Sequence, residues 1–181
     1  MERIKIKAPA KINVGLNILS KRSDGYHNLE TVFYQIKNLF DELTFEKAQK
    51  FELIIKNGSS ELLEENIIVK AVKLLEKKSG LTITPKITLS KNIPIGAGLG
   101  GGSSDAAATL KAINELYNLN YSTKELKPLA LELGSDVPLF LYDFPTIGKS
   151  RGEILEKTSL QIKHTIVLVN PGIHISTKDA F

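Results

Sequence analysis

Lys91-Asn92-Ile93-Pro94-Ile95-Gly96-Ala97-Gly98-Leu99-Gly100-Gly101-Gly102-Ser103-Ser104-Asp105 is the part of this chain that says most about how it folds. Five of the seven residues from Gly96 to Gly102 are glycine. A backbone without side chains can turn successive N–H groups toward an anion, at an entropic cost that a plain turn gives no reason to bear. Downstream, Ala106, Leu110, Ile113 and Tyr117 form an apolar stripe at helical spacing. The spacing predicts a helix that starts at Ser103 or Ser104, with Asp105 suited to its positive end. A glycine-dense loop feeding a helix N-terminus favours phosphate, because unpaired N–H groups and the helix dipole act together there. Ser103 and Ser104 stand at the junction, where a hydroxyl can cap the helix, bind phosphate oxygens or help hold Mg²⁺.

Three common nucleotide motifs do not fit. Gly96, Gly98 and Gly101 match G-x-G-x-x-G, but a dinucleotide fold needs an acidic residue about 20 positions on, at the end of a second strand. Here that place falls on Tyr121, between two predicted helices. A protein-kinase glycine loop lies between strands, and this one opens a helix. Gly148-Lys149-Ser150 ends like a Walker A loop, yet its first glycine would be Asp143 and Pro145 interrupts it.

Outward from the loop, strand and helix signals separate along the chain. Ile4, Ile6 and Ala8 alternate, as do Ile12, Val14, Leu16 and Ile18, which predicts half-buried strands interrupted by Pro9. Ser23-Asp24-Gly25 reads as a turn. Thr31-Val32-Phe33-Tyr34-Gln35-Ile36 and Phe51-Glu52-Leu53-Ile54-Ile55 are further strand candidates, the second closed by Asn57-Gly58. Ile67, Ile68, Ala71, Leu74 and Leu75 predict a helix from Asn66 to Ser79-Gly80, followed by a strand over residues 83–90. Ser122 with Glu125 makes a capping box for a third helix, whose apolar set is Leu126, Leu129, Ala130 and Leu133 and whose stop is Gly134. Residues 165–169 read as a last strand, closed by Asn170-Pro171-Gly172. Strands first and helices later predict an α+β fold rather than a doubly wound parallel sheet.

Composition narrows the partners. The 181 residues are 42% apolar and 24% charged, which suits one globular domain and excludes wholesale disorder. The longest apolar runs, Val137-Pro138-Leu139-Phe140-Leu141-Tyr142 and Thr165-Ile166-Val167-Leu168-Val169, fall far short of the roughly 20 residues of a membrane-spanning helix. The charged N-terminus does not read as a signal peptide. No membrane partner is expected. The net charge of +4 is mild; it favours anions such as nucleotides, while pairs like Lys77-Lys78 and Lys21-Arg22 are too sparse for nucleic acid. The chain has no cysteine, hence no disulfide framework, thiolate metal site or cysteine nucleophile. A cytoplasmic location is compatible with this and is the expectation. His27, His164 and His174 lie too far apart in sequence for metal-ligand spacing.

The loop from Pro94 to Ser104 resembles the ATP-phosphate loop of the GHMP kinases (galactose, homoserine, mevalonate and phosphomevalonate kinases). Four more segments resemble the family in the expected order, and together they narrow the likeness to one member. They are Ala8-Pro9-Ala10-Lys11-Ile12-Asn13, Asp24-Gly25-Tyr26-His27, Asn66-Ile67-Ile68 and Gly134-Ser135-Asp136-Val137-Pro138. A glycine loop alone would be weak evidence; five ordered motifs spanning nearly all of the chain are strong.

The resemblance implies an α+β fold with a mixed sheet and a left-handed βαβ unit shared with a ribosomal-protein domain. It also implies transfer of the γ-phosphate of ATP, with Mg²⁺, to a hydroxyl of a cytidyl-diphosphate sugar alcohol. It makes Asp136 the catalytic base and Lys11 its charged partner. A hydroxyl becomes a good nucleophile when a carboxylate accepts its proton, and a nearby ammonium favours the charged carboxylate and the charge growing on the phosphoryl oxygens. The resemblance assigns Asn13, Tyr26, His27 and Phe181 to the acceptor, Tyr26 and Phe181 as stacking rings. It assigns residues Pro94, Ile95, Gly96, Ala97, Gly98, Leu99, Gly100, Gly101, Gly102, Ser103 and Ser104 to the ATP phosphates, and places Lys91 and Asn66 near the nucleotide base. Standing alone, Lys11 would read as a solvated charge, Asp136 and Asn66 as helix caps, and Tyr26 as a core ring.

Family members carry a further C-terminal domain, and nothing here resembles it. The expectation is therefore that residues 1–181 are the N-terminal ATP-binding domain with the start of a linker. Such a piece turns over poorly and self-associates through the face left uncovered. Two other functions fit the loop: a nucleotide-binding module without catalysis, and another GHMP small-molecule kinase. An RNA-binding domain shares the expected topology but is opposed by the glycine loop and the weak basicity.

Overall fold

Two long antiparallel strands, β1 (Arg3–Lys21) and β2 (His27–Lys47), lead a computed structural model that describes residues 2–57 and 66–172. Along its other edge β2 meets two strands at opposite ends. Residues Leu29 to Phe33 pair with β5 (Thr146–Ser150), and Glu42 to Lys47 pair with β4 (Pro85–Ser90), both antiparallel. The sheet is completed by β3 (Glu52–Lys56), parallel to β4, and by β6 (Ile154–Lys157), antiparallel to β5. Helix α1 (Ile67–Ser79) joins β3 to β4, so these three elements make a parallel βαβ unit inside a mixed sheet. Helices α2 (Gly101–Leu116) and α3 (Thr123–Leu133) follow, then a short 3-10 turn, Val137–Leu141. The α+β architecture expected from the sequence is the one found.

The core lies between sheet and helices. Leu43 and Phe45 of β2 and Ile87 of β4 meet Ile68, Val72 and Leu75 of α1 and Leu110, Ile113 and Leu116 of α2, all essentially inaccessible to solvent. Each such side chain contributes on the order of 1.5–3 kcal/mol by leaving water. Ala106, Ala107, Ala108 and Ala112 are buried as well, so α2 packs through small residues. The helix ends follow their sequence signals. Asn66 Oδ1 accepts from Ile68 N at 2.9 Å, and Gly80 closes α1 at φ 70°. Glu125 carboxylate accepts from Ser122 N at 2.9 Å, completing the capping box of α3.

Several expectations need correction. Pro9 does not interrupt β1. The β1–β2 register slips between Pro9/Phe40 and Ala10/Ile36, and a residue with no N–H to give fits at that irregularity. The alternating Val14, Leu16 and Ile18 are 36%, 42% and 47% exposed, because among the described residues no layer covers the distal half of β1. Helix α2 starts at Gly101 rather than Ser103 or Ser104: Gly100, at φ 70°, is its cap. Glycine's poor helix propensity argues for the later start, and the left-handed cap overrides it. Residues 165–169 form no strand. Ile166 packs against a small cluster around Ala10, Ile36 and Ile93, while Val167 and Val169 are 77% and 86% exposed. An unbroken run of β-branched and apolar residues gives a chain the right composition for a strand, but not a partner. Conversely, β5 and β6 give no strand signal, being only five and four residues long, β5 with Gly148 and Ser150 in it.

Among the described residues no helix is long and apolar enough to cross a membrane. Gly148 in β5 faces the ring of Phe33, and a Cβ there would lie 2.3 Å from Phe33 Cε2. Gly148→Ala should therefore lower the unfolding free energy by about 1–3 kcal/mol through overpacking, read from urea unfolding. An unchanged midpoint would show that Phe33 has room to move.

Candidate active site

The glycine loop, residues 94–100, carries the chain from the end of β4 into α2. Gly96, Gly98 and Gly100 sit at φ 72°, 70° and 70°. Alternating left-handed glycines are the backbone from which anion-binding nests are built. Gly100 needs to be glycine twice over: its φ is left-handed, and a Cβ would lie 3.0 Å from Lys11 Cγ and 3.1 Å from Phe140 Cζ. The loop lines a cleft of ≈ 500 Å³ together with Ile55, Asn66, Ile67, Leu89, Lys91 and Ile93. That volume and lining, part apolar side chain and part bare backbone ahead of a helix N-terminus, suit a planar ring with a phosphate chain.

Lys11 joins this loop to the carboxylate beyond it. Its backbone N–H donates to Leu99 O at 2.9 Å, which fixes strand β1 to the loop. Its side chain is buried, with Nζ 3.3 Å from Asp136 Oδ2 and donating to Asn13 Oδ1 at 2.8 Å. Asn13 Nδ2 donates in turn to Thr31 Oγ1 at 3.1 Å, and Thr31 Oγ1 donates to Gly15 O at 2.6 Å. Asp136 precedes the 3-10 turn, whose buried Val137 and Leu139 anchor it, and its own side chain stays one-third exposed. Lys11, Asn13 and Asp136, 125 residues apart at the extremes, thus meet beside the loop.

Tyr26 and His27 come from the β1–β2 turn. Gly25 at φ 85° and a bond from Tyr26 N to Asp24 Oδ1 at 3.2 Å shape that turn. His27 is half-buried at the start of β2, opposite Lys21. Tyr26 is half exposed, with the Arg151 guanidinium 4.8 Å from its ring centre. Next to Arg151, a Cβ on Gly152 would come within 4.0 Å of Asp136 Oδ1, so the β5–β6 turn reaches both Tyr26 and the carboxylate. Phe181 lies outside the described residues.

Two expected nucleotide contacts are otherwise engaged. Asn66 lines the cleft, but its Oδ1 caps α1. Lys91 also lines it, yet its ammonium points into the protein, onto Asp41 and, at 2.9 Å, Asp105 Oδ2. Ser103 borders the cleft; Ser104 is buried beneath it, its hydroxyl without a hydrogen bond, because α2 starts earlier than its sequence suggests. Sequence reasoning missed Asp41 and Thr31. The only signal for Asp41 is an acid at the same strand parity as the apolar Leu43 and Phe45, and Thr31 gives none. Among the described residues no three His, Asp or Glu side chains converge as a metal site.

Burial pushes the Asp105 carboxyl up to about 7; the Lys91 ammonium pulls it down and Asp41 adds to the push. Burial also opposes the charge on Lys91, but the two carboxylates outweigh it and hold that ammonium above its ordinary value.

Comparison with known proteins agrees with this geometry. Residues 66–144 match the family described as "GHMP kinases N terminal domain". A solved 4-(cytidine 5'-diphospho)-2C-methyl-D-erythritol kinase superposes with TM-score 0.75 at 38% identity, over 87% of this chain and 56% of that one. Homoserine kinase from Cytophaga hutchinsonii superposes with TM-score 0.68 over 99% of this chain and 59% of that one; at 23% identity the likeness is one of fold. Over these residues the chain is thus similar to the N-terminal domain of the GHMP kinases. Along its whole length it is similar to 4-diphosphocytidyl-2-C-methyl-D-erythritol kinase from Prosthecochloris aestuarii, at 46% identity over 182 aligned residues, and it spans 63% of that relative.

An acid whose folded pKa is raised binds protons in the folded state that the unfolded chain has released. Between the ordinary Asp value of 3.8 and about 7, Asp105 therefore makes stability fall as pH rises, and above that window its effect is constant. Relative to wild type, Asp105→Asn should gain stability between pH 4.5 and about 7.5, read from urea midpoints at each pH. Parallel pH curves for the two proteins would contradict the raised value.

Proposed function

We propose that the protein transfers the γ-phosphoryl group of Mg·ATP to the 2-hydroxyl of 4-diphosphocytidyl-2-C-methyl-D-erythritol, a step in supplying isoprenoid precursors by the non-mevalonate route. One observation carries this reading: Lys11 touches the glycine loop through its backbone and Asp136 through its ammonium. A group that binds phosphate and a group that takes a proton are thereby held at one place. The similarity to relatives named for this acceptor supports the choice of alcohol.

Phosphoryl transfer needs positioning and charge stabilisation more than covalent help from the protein. The loop amides and the α2 N-terminus hold the triphosphate. Asp136 accepts the proton of the acceptor hydroxyl as its oxygen bonds to the γ-phosphorus and the bond to the β-phosphate oxygen breaks, releasing ADP. Lys11, fixed by Asn13, faces the negative charge growing on the transferred group. A Mg²⁺ bound to the triphosphate would neutralise part of its charge; at the loop the Ser103 hydroxyl oxygen would be its protein ligand, while the amides would face the phosphate oxygens. Tyr26 offers its ring, and His27 and Asn13 their polar groups, to the acceptor.

A second reading is a nucleotide-binding module without turnover, with residues 1–181 as the ATP-binding domain and the start of a linker; the left-handed glycines and their cleft support the nucleotide part of both readings. ATP binding by calorimetry without product would support it. We place the protein in the cytoplasm. Exposed Val167 and Val169 support self-association of the 181-residue chain, for which light scattering should show mass rising with concentration; a monomer at high concentration would contradict it.

In the protein at its natural length, Asp136→Ala should lower kcat by about 10²–10⁴-fold and leave the Kd for ATP within a few-fold. Turnover with the proper acceptor at the wild-type rate would remove Asp136 as the base.

A further inference from the structure

The β2–β4 ladder stops at Glu42 and Ser90, and side chains take over where it stops. Asp41 is fully buried. Its Oδ1 accepts from Asn92 N at 2.6 Å and from Ile93 N at 2.8 Å, while Asn92 Nδ2 donates to Phe40 O at 3.0 Å. The start of the glycine loop is thus fastened to β2 mainly by one carboxylate. The other oxygen of Asp41 meets Lys91 Nζ, which also donates to Asp105 Oδ2 at 2.9 Å, in α2 just past the end of the loop. Gly101 leaves room for this: a Cβ there would lie 3.2 Å from Lys91 Nζ. Between these anchors, residues 94–98 are half-buried or exposed, and Leu99 is tied to Lys11.

We propose that Asp41 is a positioning residue for nucleotide binding: its bonds to Asn92 and Ile93, and its line through Lys91 to Asp105, fix both ends of the glycine loop and so aim the loop amides into the cleft. This rests on the reading of the cleft as the ATP site. Asp41 is absent from the cleft lining, so its effect on a nucleotide passes through the backbone it holds. A preformed loop gives up little freedom when phosphate arrives; a loosened one must be ordered by the ligand. A carboxylate that served stability alone would melt the protein earlier when neutralised, yet leave the loop of the folded molecules as it was.

The experiment combines amide hydrogen exchange without nucleotide and ATP calorimetry, on the protein at its natural length, for wild type, Asp41→Asn and Asp105→Asn, each well below its melting temperature. In Asp41→Asn, exchange at the hydrogen-bonded amides that border the loop, Asn92, Ile93, Ser104 and Lys11 (bonded to Leu99 O), should quicken by about tenfold or more while amides in α1 and α3 keep their wild-type protection. The Kd and KM for ATP should rise by about tenfold or more, with a smaller change in kcat at saturating ATP. Asp105→Asn keeps the bonds to Asn92 and Ile93, so it should loosen mainly the α2 side, in the same direction and by less. It also decides the question should Asp41→Asn not fold: loop exchange within twofold of wild type would then overturn the proposal. So would Asp41→Asn with loop exchange and ATP affinity both within about twofold of wild type, whatever its melting temperature. Wild-type protein that binds no ATP would sink the functional reading instead, and loop exchange alone would still decide whether Asp41 holds the loop.

Discussion

Everything at this site depends on how Lys11 is held. A lysine with nine-tenths of its side chain out of water is costly unless its charge is met, and here Asp136 and Asn13 meet it. The same residue's backbone is bonded to Leu99 in the loop, and its stem fills the space that the missing side chain of Gly100 leaves open. Strand, loop and carboxylate are therefore not three neighbours by chance. Moving any one of them would leave a buried ammonium with an unmet charge or open a gap beside it.

The rest of the fold supplies fixed points for that arrangement. Strand β2 does so at several places along 21 residues: Thr31 steadies Asn13, Phe33 lies under the Lys11 ammonium at 5.6 Å, and Asp41 grips the start of the loop. The small residues of α2 pack its body in the core while its first turn faces the cleft. The buried 3-10 turn then returns the chain so that Asp136 sits at the edge of the core with its carboxylate partly in water.

Much of this was legible in the sequence because its signals are local. The glycine run, the Asn66 cap, the Ser122–Glu125 capping box and the stripes of α1, α2 and α3 each act over one or two turns of chain. What was not legible depends on neighbours far away. Nothing near Pro9 shows that the ladder slips there and lets β1 continue. Residues 165–169 have the β-branched, apolar composition of a strand, but whether another strand lies beside them is decided elsewhere. Lys91 looks like a surface cation until Asp41 and Asp105 close around it, and Asp41 looks like a solvated acid beside Glu42 until the loop's N–H groups arrive. The motif likeness located Lys11 and Asp136; only the fold shows them 3.3 Å apart.

The proposed pairing of a phosphate-binding backbone with a proton-accepting carboxylate is best checked by amide and lysine-ammonium NMR during titration with the magnesium complex of a non-hydrolysable ATP analogue. The largest shifts should fall on Gly96, Gly98 and Gly100 to Ser103, with the Lys11 ammonium shifting in step. Saturation that leaves those signals in place, or that moves the Lys11 ammonium without the loop, would contradict the arrangement described here.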